Sequence, residues 1–423
     1  MALQPKRQHD GAGQALRISQ KITPQVTKYY LKVSKRYRAM QGLLLILLMV
    51  YLFFIISAFG KHITYDNMQY LLRDLDSLSH NTQGDFSVIE YDKQNEPAFA
   101  IFKNGIAAAG KDGVTLYDST GLRLFKEQLS CTSPVLVPSE KYLLLYDRGG
   151  TGYSVYNSIT KVISRSTERK IADGAISDSG AFILVTRSND TKYVVEYFSS
   201  ILTNTMKIYK DNYVMDTALS KDGKTIVVCS AVPSQTDLDC EIALYHSDDK
   251  EFIHTVTIPH TMPLSVHFGE SGFTVLCDSG LYFYDEAGTE LSSYGLTGMT
   301  LEYADLSDRY TILTGCENAL GSEHRVLVFE ADGTLLADSI LKERITGVSA
   351  PHMEDEGTLA YVLTADNVLR LTPGEEQAAP NLPRYRDYVR EEAQIDMGDV
   401  IALRPAPKGV IAFTENTAYY LFR

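Results

Sequence analysis

A β-rich unit that recurs about every 45 residues constrains this 423-residue chain more than any other feature. Its core is a small or apolar pair, a Ser or turn residue, an Asp/Glu-Gly or equivalent, and then a β-rich run. The plainest copies are AISDSGAFILV (Ala175–Val185), ALSKDGKTIVV (Ala218–Val228) and VHFGESGFTVL (Val266–Leu276). Looser ones are LVPSEKYLLLY (Leu136–Tyr146), ADLSDRYTILT (Ala304–Thr314), MEDEGTLAYVL (Met353–Leu363) and RPAPKGVIAFT (Arg404–Thr414). With Lys141, Gly180, Gly223, Gly272, Arg309, Gly357 and Gly409 aligned, the spacings are 39, 43, 49, 37, 48 and 52 residues. A repeat of that length built of short strands has the period of a four-stranded propeller blade.

Inside each period a second run alternates apolar and polar residues and closes on an aromatic and a polar turn. It reads VTLYDSTG from Val114, YSVYNS from Tyr153, IALYHSDD from Ile242, LYFYDEAG from Leu281 and VLVFEADG from Val326. Alternation with period 2 puts successive side chains on opposite sheet faces, so one face is buried between neighbouring blades. Tyr117, Tyr156, Tyr245, Tyr284 and Phe329 share one slot in this run. Packing between blades is their expected role, with a row of ligand-stacking rings as the alternative. Gly121, Gly288 and Gly333 supply the positive φ that the following hairpins need.

The strand count requires a closed ring. Residues 97–129 hold four strands, and six further units run to about Pro380. The end of the chain, Val400–Arg423, offers only IALRP, GVIAFT and AYYLF. The orphan strand FSVIEY (Phe86–Tyr91) can complete that sheet, which leaves no unpaired edge open to aggregation. The expected fold class is therefore all-β, an eight-bladed β-propeller over residues 85–423, with seven blades as the alternative. Asn381–Met397 fits the pattern worst and reads as an insertion on one face.

Ahead of the repeats, Gly42–Phe59 is an eighteen-residue run without a charge. As a helix it would span about 27 Å, close to the hydrocarbon thickness of a bilayer. Nine of the forty basic residues but only one acid, Asp10, lie in residues 1–41, leaving 31 bases and 52 acids beyond. Positive charge beside a span stays inside, so the expected arrangement is a basic cytoplasmic tail (1–41), an N-terminal single transmembrane helix acting as signal anchor (42–60) and an extracytoplasmic domain. A cleaved signal peptide is disfavoured by the length of the apolar run and of the charged region before it. Between anchor and ring, residues 61–84 form a linker in which Met68, Leu71, Leu72, Leu75 and Leu78 fall at the spacing of a short amphipathic helix, Tyr65–His80.

No residue set nominates itself for chemistry. The chain lacks the G-x-S-x-G, Walker A, H-E-x-x-H and Rossmann glycine patterns. Its five cysteines, Cys131, Cys229, Cys240, Cys277 and Cys316, show no C-x-x-C spacing and no accompanying histidine cluster, so zinc is not expected. Cys229 and Cys240 could pair across a hairpin; small apolar strand residues are the favoured reading. His246, His254, His260 and His267 are spaced 8, 6 and 7 apart, which gives no metal pair on one strand. Glu354-Asp355-Glu356 and Asp248-Asp249 read as solvated turns. Catalytic, cofactor-binding and metal-binding residues are all expected to be none.

The Ser-x-Asp-Gly turn followed by a β-rich run resembles the WD40-like and YVTN-like propeller repeats of bacterial envelope proteins, over roughly residues 86–423. The layout of basic tail, one anchor and propeller also resembles an uncharacterised bacterial family of membrane-anchored extracytoplasmic β-propeller proteins. The chain has no Trp, so the Trp-Asp dipeptide of WD40 repeats is absent. That absence also argues against quinoprotein dehydrogenases, with their Trp-docking repeats, and against sialidases. Asp178 in SDSGAF sits where a sialidase Asp-box acid would, but Phe182 or a neighbour would have to replace the Trp; a plain turn is favoured.

The expected function is that of a binding or scaffold protein of the cell envelope. Its partners would be the lipid bilayer, through Gly42–Phe59, and an envelope or membrane protein, with no nucleic acid and no cofactor. The acidic outer domain would steer partners with basic patches and repel nucleic acid. The alternative is an envelope hydrolase or dehydrogenase at the channel mouth, which a cluster of inward-pointing carboxylates or histidines would favour.

Overall fold

The structure, a computed structural model, describes residues 24–59 and most of 88–422, leaving out short segments such as 317–322, 377–385 and 395–399. The chain divides into two compact units, Met1–Thr82 and Gln83–Arg423. In the first, one helix runs from Pro24 to Phe59 and contains the uncharged run. Among the described residues no helix is long and apolar enough to cross a membrane; the side chains of 52–59, the second part of the expected span, lie outside the described set. The expected helix Tyr65–His80 also lies outside the described residues.

Eight four-stranded antiparallel sheets make up the second unit. Seven use consecutive strands: blade 1 covers 98–128, blade 2 134–166, blade 3 171–210, blade 4 213–258, blade 5 263–295, blade 6 300–341 and blade 7 345–394. Blade 8 takes three strands from 402–421 and its fourth from Val88–Glu90. The closing register is Val88↔Tyr419, Ile89↔Ala418 and Glu90↔Thr417. The count is eight rather than seven, and both ends of the domain share one sheet as expected.

The strand Phe182–Arg187 of blade 3 shows why such sheets stack. Ile183 and Val185 pack with Ile226 and Val228 of blade 4. Phe182 and Leu184 turn the other way, onto Leu144 and Tyr146 of blade 2. Period-2 alternation thus feeds two cores from one strand, and each core lies between blades. The shared aromatic slot behaves accordingly: Tyr117, Tyr156, Tyr284 and Phe329 are buried and Tyr245 is half-buried, each within an inter-blade cluster. Gly121, Gly288 and Gly333 have φ of 81°, 83° and 87°, as their hairpins require.

Two expectations are corrected, and an alternative left open for two cysteines is decided. Asn381–Met397 is no insertion, because Arg386–Gln394 is the outer strand of blade 7, paired from Asn367↔Gln394 to Pro373↔Tyr388. Outer strands such as Arg123–Gln128 and Glu290–Gly295 are exposed along much of their length, so they carry little apolar signal. Cys229 and Cys240 form no disulfide; every cysteine is a free thiol. Cys229 sits opposite Ile242 and Cys240 opposite Ala231, a diagonal pair about 7–8 Å apart, beyond disulfide reach. The Cys240 thiol meets Cys277 of blade 5 instead. Finally, Asp355 is not solvated. It is buried and accepts hydrogen bonds from Thr358, at 3.0 Å, and from the Tyr361 hydroxyl.

Candidate functional site in the central channel

The first strand of each blade is its innermost, and neighbouring first strands approach one another around the axis. Blades 3, 4 and 5 each bulge there, between Ile171 and Asp173, Val214 and Asp216, and Pro263 and Ser265. A bulge inserts a residue and re-aims the next side chain. The three re-aimed residues, Asp173, Asp216 and Ser265, form a polar chain across the blades.

Asp216 Oδ2 accepts from Ser265 Oγ at 2.9 Å and from the Val266 amide at 2.8 Å, both in blade 5. Its Oδ1 takes the Thr217 amide at 2.9 Å. Thr217 Oγ1 donates to Asp173 Oδ2 at 2.8 Å, and the Tyr146 hydroxyl reaches Asp173 Oδ1 at 3.3 Å. Arg148 in turn donates to Tyr146 at 3.4 Å. Burial raises the Asp216 carboxyl to about 7, with the Asp173 charge adding to the shift, and burial raises Asp173 as well. The two carboxyls titrate as a pair, since a charge on Asp173 disfavours one on Asp216.

The other side of the ring repeats the arrangement with different residues. Asp305 of blade 6 accepts the Ala350 amide of blade 7 at 2.7 Å, and burial raises its pKa. Arg404 of blade 8 donates to the Phe99 carbonyl of blade 1 at 3.0 Å. Desolvation lowers the Arg404 pKa while Asp305 opposes the shift. At the turns after the first strands, Asp308 binds His267 Nε2 at 3.0 Å and Lys221 Nζ at 2.8 Å. Burial would raise Asp308, but the His267 and Lys221 bonds prevail and hold it at about 2. Asp178 is likewise a blade-to-blade cap, accepting the Glu140 amide at 2.7 Å. That is the turn role favoured over an Asp-box.

Chemically, the Asp173–Asp216 pair can hold a proton near neutrality. Each carboxyl oxygen already accepts a donor from the protein, and the nearby hydroxyls of Thr217 and Ser265 are spent on these carboxyls. His267 is bonded to Asp308 rather than to a hydroxyl nucleophile. His246, His254 and His260 do not join it, and no group of three metal-ligating side chains is present among the described residues. Inward carboxylates therefore exist, but they act as staples between blades.

Sequence reasoning passed over Asp173, Asp216, Asp305, Arg148 and Arg404. A signal for two of them was present: Asp-x-Ala-Ile/Leu-Ser occurs at Asp173–Ser177 and Asp216–Ser220, an acid inside a β-rich run. His324 was also missed. It is buried, with Nδ1 2.7 Å from Glu302.

The sequence profile of a family of unknown function, DUF5711, matches residues 81–354, well over half of the chain. The chain belongs to that family. The match takes in the closing strand Val88–Glu90, blades 1–6 and the first strand of blade 7. No curated protein matches this DUF5711 chain. Among solved structures it is similar to the β-propeller domain of Myceliophteria thermophila Cps50 (Swd1), at 10% identity and TM-score 0.46, over 66% of this chain and 96% of that one. It is similar to the Neurospora crassa Pan2 WD40 domain at 13% identity and TM-score 0.39, over 51% and 70%. Chaetomium thermophilum Raptor gives 15% identity and TM-score 0.47, over 70% of this chain and 29% of that one.

Proposed function

We infer that this DUF5711 chain is a membrane-anchored binding scaffold of the cell envelope, with a helix at Gly42–Phe59 in the bilayer and the propeller outside. The observation that carries the scaffold reading is the state of the channel wall. Its carboxylates are consumed in bonds from blade to blade, which makes a rigid ring rather than a poised reaction centre. The anchor reading is supported by the uncharged run within a continuous helix and by the basic tail before it. The 52 acids against 31 bases beyond residue 41 favour a membrane or envelope protein with a basic surface as partner, and disfavour nucleic acid.

Three measurements on the full chain test this. Protease added to wall-free cells should digest the propeller and spare the tail; protection of residue 423 overturns the orientation. Cross-linking in membranes followed by capture should recover a partner whose binding weakens with salt, since the Debye length is about 10 Å at 0.1 M. Turnover of a sugar, peptide or alcohol substrate by the purified chain, abolished in Asp216→Asn, would replace the scaffold reading with an enzymatic one.

A further inference from the structure

The outer face between blades 2 and 3 carries a groove of about 340 Å³, away from the channel residues described above. Its walls are the outer strand of blade 2, Lys161–Ser166, the following turn, and the last three strands of blade 3. Four cations line it, Arg165, Arg169, Arg187 and Lys207, against two carboxylates, Glu168 and Glu196. One of these carboxylates, Glu196, is committed to Lys207. Lys207 Nζ is 2.8 Å from Glu196 Oε1, and its pKa is raised by that bond first, with Glu168 contributing. Among the described residues, no carboxylate forms an ion pair with Arg165, Arg169 or Arg187. Arg165 faces the Tyr153 hydroxyl and lowers its pKa against the effect of burial.

Three guanidinium groups facing one concavity repel one another, and they do so in a chain of net charge −13 that has acids to spare. An anion bound among them would relieve that repulsion. The guanidinium fork matches the paired oxygens of phosphate and carboxylate alike. The groove also has an aromatic lining: Tyr153 and Phe198 are buried along it, and Tyr209 stands 62% exposed on its wall. We propose that this groove binds a multivalent oxyanion, a ligand carrying two or more phosphate or carboxylate groups, held by Arg165, Arg169 and Arg187. The site is independent of the channel and of the scaffold reading, and its charge is opposite to that of the propeller as a whole.

The chain contains no Trp, so Tyr209→Trp places a single fluorophore on the groove wall. The full-length variant would be titrated at constant ionic strength with tripolyphosphate and, separately, with citrate. A saturable fluorescence change is expected with at least one of them, and the one that produces it identifies the group recognised. Arg169→Ala/Arg187→Ala in the same background should weaken that binding by about tenfold or more, equivalent to about 1.4 kcal/mol. Calorimetric titration of the chain with Tyr209 intact, with and without the double substitution, provides the same comparison independently of the reporter. No saturable change with either anion overturns the proposal. So does equal affinity in the double variant, which would assign the binding to the basic residues of the tail.

Discussion

Asp216 and Asp308 titrate in opposite directions, and together they shape how stability depends on pH. A carboxyl raised from the ordinary value near 4 to about 7 in the fold holds a proton that the unfolded chain has lost, so folding binds protons in that interval. Its contribution is complete below pH 4 and fades as pH rises to 7. Asp308, held at about 2, contributes above pH 4 and loses that contribution as pH falls toward 2. The melting temperature of the full chain, followed by circular dichroism, should therefore peak near pH 4–5, fall toward pH 7 and then level. Asp216→Asn, which keeps an acceptor oxygen for Val266, should flatten the decline between pH 4 and 7; an unchanged slope would exclude a raised pKa at this residue. Asp355 tests a different buried acid. Its removal strands Thr358, Tyr361 and Arg370, so Asp355→Ala should cost about 3 kcal/mol in urea denaturation, and Asp355→Asn less.

At the level of single hairpins, two glycines from the repeat separate backbone conformation from packing. Gly357 has φ +86° with open space where a Cβ would stand. Gly357→Ala should then cost only the left-handed conformation, about 1–2 kcal/mol. Gly272 has φ +143°, and a Cβ there would lie 2.0 Å from the backbone carbonyl oxygen of Tyr284 in the next hairpin. Backbone cannot rotate away as a side chain can, so Gly272→Ala should cost about 3 kcal/mol or more, measured by the same denaturation. Equal costs at the two positions would show that the close approach in blade 5 does not matter. The outer strands teach a related lesson. Arg386–Gln394 escaped recognition because its sequence, RDYVREEAQ, is mostly charged and polar and shows no apolar alternation.

Across the whole molecule the ring is closed by a single three-residue strand and the core around it. Phe99 of blade 1 stacks on Phe413 of blade 8 with centroids 4.4 Å apart, and Ile89 and Tyr91 join the same cluster. The Tyr91 hydroxyl donates to the Thr414 carbonyl, tying residues 323 apart. Removing Val400–Arg423 deletes three strands of this sheet, so the soluble unit should lose its cooperative melt altogether rather than shed a tail. Phe413→Ala is the milder form. It should destabilise the ring by about 3–5 kcal/mol, in one transition shared by all blades. A second transition confined to part of the ring would show that the blades fold independently of closure.

What the sequence determined by itself was everything local and periodic. The 45-residue spacing, the alternation in the third strands and the turn glycines each follow from how one hairpin buries one face, and eight such units had to close because an open edge is costly. The partners of Asp173, Asp216, Asp305 and Arg404 were decided only in the tertiary structure. Each bond joins residues about 40 or more positions apart, on strands brought together by ring curvature, with Asp173 and Asp216 re-aimed by bulges. The same holds for Asp355, which looks like one acid in a solvated run until Tyr361 and Arg370 fold over it. The groove arginines follow suit. Arg165, Arg169 and Arg187 are ordinary surface residues in sequence, and they converge only because blade 3 packs beside blade 2. Periodicity is a property of the chain, whereas charge compensation depends on which blades become neighbours.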